Sequence, residues 1–433
     1  MRISRRGRTS LVAVTVLAVT SVLAACGSGG GDSDDKKVSV WMSVDPLVFD
    51  GLKKQIVEEA KAKGITADVQ KVDNINQLIM TKIQANDTPD IALIPQPGVV
   101  ADMVKRNAAK PLDDVVDKSA LESDMVPGTL DAGTVNDKLY GVLVSMNVKS
   151  LVFYPKKAFD KAGYKAPDSL DALTALGDQI KKSGTPPWCF AIGSDAATGW
   201  PATDWFEDLI MQQSGPEVYK DWVTNKVKFD SPEVREAAAY FEKTMFTDGN
   251  VAGGRGSIAS TAFGDADNPM WDPKPGCMLL KQGNFIVSKD FLPSEVVANV
   301  DENIGVFGFP PAEAGGDNPT LGGGDMATLL SDSDSAKEVM KILAGKDIGK
   351  DAAGSSSYLS PHKGFDTSLY PSDLTRSIAD VAYNTDQFLF DGSDSMPGAV
   401  GAGTFWKDMT AWITGDEDLD TALKNIDDSW PTS

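Results

Sequence analysis

From Lys37 to Asn107 the chain alternates three times between a short β-prone run and a stretch with helical spacing, and that order leaves few folds open. Lys37–Met42 carries the bulky members Val38, Val40 and Trp41 and stops at the turn Ser43-Val44-Asp45-Pro46. Leu47 to Lys63 then places apolar residues at 48, 49, 52, 56, 57 and 60, one face of a helix, with Gly64 as its stop. Ile65–Val72 is a second strand candidate and Ile75–Ala85 a second helix. Ile91–Ile94 is a buried-strand run that ends at Pro95, and a helix is predicted over 99–107. Strand and helix repeated in this way predict an α/β lobe built on a mainly parallel sheet.

The rest of the chain is richer in helix. Val135–Val144 and Ser150–Tyr154 are β-prone. Helices are predicted near 155–162, 169–183, 202–213 and 232–246, and the Gly-, Pro- and Asp-rich stretch 248–276 reads as loop. Strands are expected over Met278–Ser288, Ile304–Phe309 and Asp325–Leu330, the last entered from Gly322-Gly323-Gly324. Helices follow near 334–344, 372–384, 404–413 and 417–427. The strand near 325 with its helix reads as a late return to the first region. Two α/β lobes would leave a cleft between them and place ligand groups on strand-end loops.

The N-terminus addresses location. Arg2, Arg5, Arg6 and Arg8 precede an apolar stretch from Leu11 to Ala25, a charged n-region followed by an h-region. At about 15 residues the stretch is too short to span a bilayer comfortably. It ends in Leu23-Ala24-Ala25-Cys26, which resembles a bacterial lipobox, so residues 1–25 are expected to be a lipoprotein signal peptide and Cys26 the lipidated residue. Residues 26–37 read as a flexible tether. No other stretch is apolar enough to cross a membrane, which leaves the body outside the cell membrane, held by its lipid alone. With 41 basic and 62 acidic residues the precursor carries −21. That excludes non-specific nucleic-acid binding, which needs positive surface to displace counterions. A single histidine, His362, excludes a His-rich metal centre and a catalytic His pair.

With Cys26 assigned to lipid, Cys189 and Cys277 remain as a pair in an oxidising compartment. A disulfide is the first reading. Two buried free thiols, or a metal site with further ligands, are the alternatives.

Many separated segments now carry a likeness. They include Tyr140-Gly141-Val142 with Lys149–Lys157, Pro187-Trp188-Cys189, Ala197–Trp205 and Phe263-Gly264-Asp265. They continue with Pro275-Gly276-Cys277, Gly323-Gly324-Asp325-Met326, Phe390–Asp394 and Gly401–Trp406. In these the chain, from about Val38 to Trp430, resembles the extracellular solute-binding lipoproteins of bacterial ABC importers in carbohydrate-binding family 1, and within them the alpha-glucoside-binding group. The resemblance implies a two-lobed periplasmic-binding-protein-like α/β fold, type II and similar to maltose-binding proteins, with a ligand cleft between lobes. It implies lobe one at 38–147 plus 312–360 and lobe two at 148–311 plus 361–433, with hinges near 145–150, 304–311 and 358–362. It also implies no catalysis, no cofactor, a monomer, an oligosaccharide ligand such as an alpha-glucoside, and a permease pair with its ATPase as partners. Stacking aromatics are implied near Trp200 and Phe285, the latter often Trp in maltose-type relatives.

A sugar presents hydroxyls and a few C–H faces, so a binder needs flat rings and short polar or charged groups. Trp200 and Asp204 flank Pro201 at a helix start. Asp265, Asp267 and Trp271 lie in a polar loop that a Cys189–Cys277 bridge would draw toward Trp188 and Trp200. The run Gly322–Gly324 would let backbone approach a ligand, with Asp325 as a second carboxylate. These glycines lack the ending of a phosphate loop, and Asp265 to Asn268 lacks the EF-hand pattern. Ser43, Asp45 and Gln96 stand at expected strand ends in lobe one, and Trp406 is placed as a wall of the site. No metal ligand set is assigned. A polyol or peptide bound by the same fold is the alternative, and a secreted glycosidase or an adhesive lipoprotein are minor ones.

Overall fold

Strands β1 (Lys37–Met42), β2 (Thr66–Lys71) and β3 (Ile91–Ile94) form where the alternation puts them, in a computed structural model that describes residues 36–431. The signal peptide, Cys26 and nearly all of the expected tether lie outside the described residues, and β1 already begins at Lys37. β1 pairs in parallel with both β2 and β3. Val38, Val40 and Met42 are fully buried, as are Leu52, Ile56 and Ala60 of the helix Pro46–Ala62 that follows. Burial of these apolar faces fixes the layer.

A short hairpin comes next, β4 (Thr134–Val135) and β5 (Lys138–Leu139), where one strand over 135–144 was expected. Asn136 and Asp137 both adopt positive φ, 50° and 63°, and so turn the chain within two residues. Strand β6 (Gly141–Val148) belongs to the first sheet, and β7 (Leu151–Pro155) to a second sheet with β8 (Leu280–Lys281) and β9 (Ile304–Gly308). β10 (Thr320–Leu329) then returns antiparallel between β3 and β6, and β11 (Phe388–Phe390) pairs with its first residues. The first sheet therefore runs β11-β10-β3-β1-β2 with β6 on the other edge of β10, and the second runs β8-β7-β9. The chain passes between the sheets at Lys149–Ser150 and again between β9 and β10. It leaves the first sheet once more before helix Asp373–Tyr383, which packs on β9. β11 falls within the segment expected for lobe two and still joins the edge of β10.

Two expectations about strands are corrected. Only Leu280–Lys281 of the run Met278–Ser288 is strand. Asn284 is buried there, its side chain accepts from the Val148 N–H at 2.9 Å, and a 3₁₀ turn over Asn284–Ile286 replaces the ladder. The glycines 322–324 lie inside β10 and do not form an entry loop. A Cβ at Gly322 would sit 2.2 Å from the Asn147 carbonyl oxygen and one at Gly324 2.1 Å from that of Ser145, so these glycines admit the neighbouring strand β6. Helices Lys118–Asp124 and Pro216–Val223 and strand β11 were not anticipated.

Cys189 and Cys277 are joined, with Cα atoms 5.3 Å apart, and the Cys189 N–H donates to the Leu279 carbonyl beside the bridge. The free-thiol and metal alternatives fall with that bond. Among the described residues no helix is long and apolar enough to cross a membrane. The result is a two-lobed α/β fold of the type II periplasmic-binding-protein kind, with a cleft between lobes.

Candidate functional site

Helix Trp200–Ser214 organises the site. It starts after Gly199, which turns at φ 118°, where a Cβ would meet the Trp406 carbonyl oxygen at 2.3 Å. Pro201 occupies its first turn, where the missing N–H is harmless. Residues 201–212 are all buried, so the stripe Asp204, Glu207 and Asp208 is carried inward with the apolar residues. Carboxylates removed from water need partners, and each of these finds them on a chain crossing or just beyond β11.

Asp208 accepts from Lys281 at 2.6 Å and from the Ser150 hydroxyl at 2.5 Å, while the Ser150 oxygen accepts from the Leu321 N–H at 2.7 Å. Asp204 accepts from Lys149 at 3.0 Å, and the same ammonium donates to Asp391 at 2.5 Å. Glu207 accepts from the backbone N–H groups of Gly392 (2.7 Å) and Ser393 (3.1 Å) and from the Tyr219 hydroxyl (3.2 Å). Asp391 also receives the Ser393 hydroxyl and the Asp394 N–H. Asp394 accepts from Gln96 at 2.8 Å, and Gln96 in turn accepts from Asn76. The Trp406 indole N–H donates to the Ser393 hydroxyl at 3.2 Å. One connected network thus runs from the end of β3 to the buried helix.

Electrostatics follow from that crowding. Burial pushes the Asp204 carboxyl up to about 7, with Lys149 opposing and Asp391 adding to the rise. Burial and the Asp391 charge push Asp394 up to about 7. Glu207 is raised well above the usual range by burial, then by Asp391 and Asp204. Against the effect of its burial, Lys149 holds Asp391 below the ordinary value. Lys149 itself stays protonated far above its usual range, because Asp204, Asp391 and Asp394 outweigh its own burial. Oxygens of Asp204, Glu207 and Asp391 lie within 4.8 Å of one another, a spacing open to a cation. The Lys149 ammonium and two backbone amides already serve these three groups.

Aromatic rings flank the network. The Trp200 ring centroid lies 4.9 Å from Phe263 and 5.9 Å from Phe285, and the Lys149 ammonium is 5.3 Å from the Trp200 centroid. Trp200, Phe285 and Trp406 are all half-exposed, so each keeps ring surface for another molecule.

Of the residues singled out from sequence, Trp200, Asp204, Phe285, Gln96 and Trp406 are brought into this region. Asp325 stands apart on β10, where a bulge turns it to accept from Ser145 at 2.7 Å, and burial raises it to about 6. Ser43 is half-buried at the end of β1. Asp45 caps helix Pro46–Ala62 through the Leu47 N–H at 2.9 Å and lines a different cavity. Asp265 is exposed, and Trp271 makes none of the ring contacts of Trp200. Buried Asp267 holds the Trp271 indole N–H at 2.8 Å, and Trp271 lines a separate groove with Lys157, Lys161 and Lys274. The loop does reach Trp200 through Phe263, whose N–H donates to the Gly193 carbonyl at 2.8 Å. Sequence reasoning passed over Lys149, Glu207, Asp391, Asp394 and Phe263. The run Phe390-Asp391-Gly392-Ser393-Asp394, acids directly after an apolar triplet, was the available signal.

Comparison with known proteins adds three findings. A family model described as bacterial extracellular solute-binding protein matches residues 49–349. The chain is 33% identical over 419 residues to the osmoprotective compounds-binding protein GgtB of Synechocystis sp. (strain ATCC 27184 / PCC 6803 / Kazusa), covering 96% of this chain and 98% of that one. It is also 33% identical over 398 residues to the alpha-glucosides-binding periplasmic protein AglE of Rhizobium meliloti (strain 1021), covering 90% and 85%. Among solved structures it is similar to the bacterial solute receptor AcbH, with a TM-score of 0.75 at 16% identity over 91% of this chain and 98% of that one. That last likeness concerns the fold.

Proposed function

The chain belongs to the bacterial extracellular solute-binding proteins, and on that footing we propose that it captures an alpha-glucoside or a related oligosaccharide and hands it to an ABC importer. The observation that carries this reading is the pairing of half-exposed rings at Trp200 and Phe285 with the polar network of Asp204, Lys149, Asp391, Asp394 and Gln96. Rings suit the C–H faces of a sugar, and carboxylates and an amide suit its hydroxyls. The similarity to a protein named for alpha-glucosides supports the sugar class. An equal identity to one named for osmoprotective compounds favours a second reading, a small polyhydroxyl solute in the same cleft.

Binding without chemistry fits the state of the acids. Asp204 and Asp391 share one lysine, and Glu207 is tied to backbone amides, so these three acids serve as fixed charge and hydrogen-bond partners. Ser43, Asp45 and Asp325 enter the proposal as further polar groups of the cleft. Lobe one is assigned to 38–147 plus 312–360 and lobe two to 148–311 plus 361–433, with Cys26 as the lipid anchor on the outer face of the cell membrane and two permeases and their ATPase as partners. Titration calorimetry of residues 37–433 against alpha- and beta-linked glucosides tests the reading. Saturable one-to-one heat with an alpha-glucoside, and no sugar consumed, is expected. Folded, ligand-free protein that stays silent with every glucoside overturns it.

A further inference from the structure

A second cavity, of about 720 Å³, is lined from Val287 onward, two residues beyond Phe285, and shares no residue with the network above. Its size falls within the range of small-molecule sites, roughly 300–1,000 Å³. Both ends of the fold build it. The loop after β1 and the segment just before Tyr358 come from the first sheet's side, and residues 287–302 from the second's. The Ser356 hydroxyl donates to the Val287 carbonyl at 2.6 Å, which ties the two walls together. Continuity with the ring site runs through one short stretch. Phe285 leans on Trp200, and Val287, Ser288 and Asp290 directly after it line the cavity.

The lining has a definite chemistry. Ser288, Ser355 and Ser357 supply hydroxyls and Asn299 an amide, while the Ser372 hydroxyl is taken up in capping helix Asp373–Tyr383. Leu47, Val297, Val300 and Pro371 supply aliphatic surface, and Leu47 is 56% exposed, the most exposed large apolar side chain among the described residues. Asp45, Asp290, Asp301 and Glu302, the last paired with Lys157 at 3.3 Å, outweigh Lys289 and make the wall acidic, which repels an anion.

We infer that this cavity is a second compartment of the cleft, which takes the distal, uncharged polyhydroxyl part of an elongated solute whose first unit sits at Trp200 and Phe285. The inference rests on the glucoside reading above and extends it. The solute is longer than one ring pocket can hold, and the distal part meets serine hydroxyls and aliphatic carbon where the proximal part meets aromatic rings.

The test is a ladder of linear alpha-linked gluco-oligosaccharides of two to five units, titrated into residues 37–433. The readout is the ratio of four-unit to two-unit affinity within each protein. The native chain is expected to gain about tenfold or more across that step. Ser357→Trp, which fills the cavity, and Leu47→Trp, at an exposed position that leaves packing untouched, are each expected to bring the ratio near one. A flat ladder in the native chain, or a gain that survives both substitutions, overturns the compartment and leaves the glucoside reading standing. Failure of the native chain to bind any member overturns both.

Discussion

Lys149 has 12% of its side chain exposed and stands between two carboxylates with 5% and 2% exposed. Removing one member of a buried ion group leaves uncompensated charge in low dielectric, at roughly 3–5 kcal/mol. Lys149→Met is therefore expected to lower unfolding stability by about that amount and to weaken solute binding, both read from urea unfolding with and without solute. Loss of binding with unchanged stability would show that the carboxylates are not held by this lysine. The raised acids give a pH signature. Asp204 and Asp394 titrate at about 7 when folded, against roughly 3.9 unfolded. The folded chain then binds more protons than the unfolded one between those values, so these two groups destabilise it above pH 7 and cease to do so as pH falls. His362, pushed down by burial against the pull of Asp124, acts in the opposite sense below about pH 6.5. The melting temperature of the unliganded chain should rise from pH 8 to 6.5, and Asp394→Asn should shrink that rise. A flat profile in the native chain counts against the network. Trp200, Asp204, Gln96 and Trp406 were legible as members of this cluster, Trp200 and Gln96 from their place beside a helix start or strand end and Asp204 and Trp406 as a short-range acid and ring in loop-rich sequence. Lys149 was not, since a lysine in a sequence is by default a solvated charge. Asp391 and Asp394 were hidden because β11, three residues long, has no periodicity to read.

The strands and helices of 37–107 were legible because period-2 and period-3.6 burial are written directly into apolar spacing. β8 and β10 were legible only in part and β11 not at all, because their residues follow neighbours distant in sequence. β10 is the clearest case. Its glycines suggested a loop beside a ligand, yet Gly322 and Gly324 turn toward β6 while Gly323 meets nothing nearer than Phe390 at 3.8 Å. The strand alternates, so alanine substitutions should alternate too. Gly322→Ala and Gly324→Ala are each expected to destabilise by about 1–3 kcal/mol or more through overpacking against a carbonyl oxygen, with Gly323→Ala near neutral. Chemical denaturation of the three variants checks this, and equal losses at all three would rule out the strand register. The Cys189–Cys277 bond closes a separation of 88 residues. Its removal by paired serine substitutions should lower stability by roughly 2–5 kcal/mol. A calorimetric scan with and without reductant gives the same comparison in the native chain.

Two sheets joined by three crossings confine any relative movement of the lobes to Lys149–Ser150, the segment between β9 and β10, and the segment before helix Asp373–Tyr383. At the first crossing the Ser150 hydroxyl meets Asp208 of the buried Lys281–Asp208 pair and accepts from the Leu321 N–H, so the joint is ordered by polar contacts that favour particular lobe positions. Solute can shift such an equilibrium only through contacts that differ between the open and closed forms. A full swing from 1:99 to 99:1 needs about 5.5 kcal/mol of differential affinity. On the proposed reading, Trp200, Phe285 and Asp204 hold the solute from one side of the cleft. Gln96 reaches across from the end of β3 to Asp394, and the Ser356 hydroxyl reaches across to Val287. Contacts of that crossing kind set the balance of lobe positions on which the solute's own contacts act. Gln96→Ala with Ser356→Ala should therefore leave residual solute binding through the rings while removing most of the ligand-driven closure. Small-angle scattering would show a fall in radius of gyration on saturation of the native chain, and a much smaller fall for the double variant at matched saturation. Equal compaction in both would move the origin of closure from these two contacts to the rings themselves.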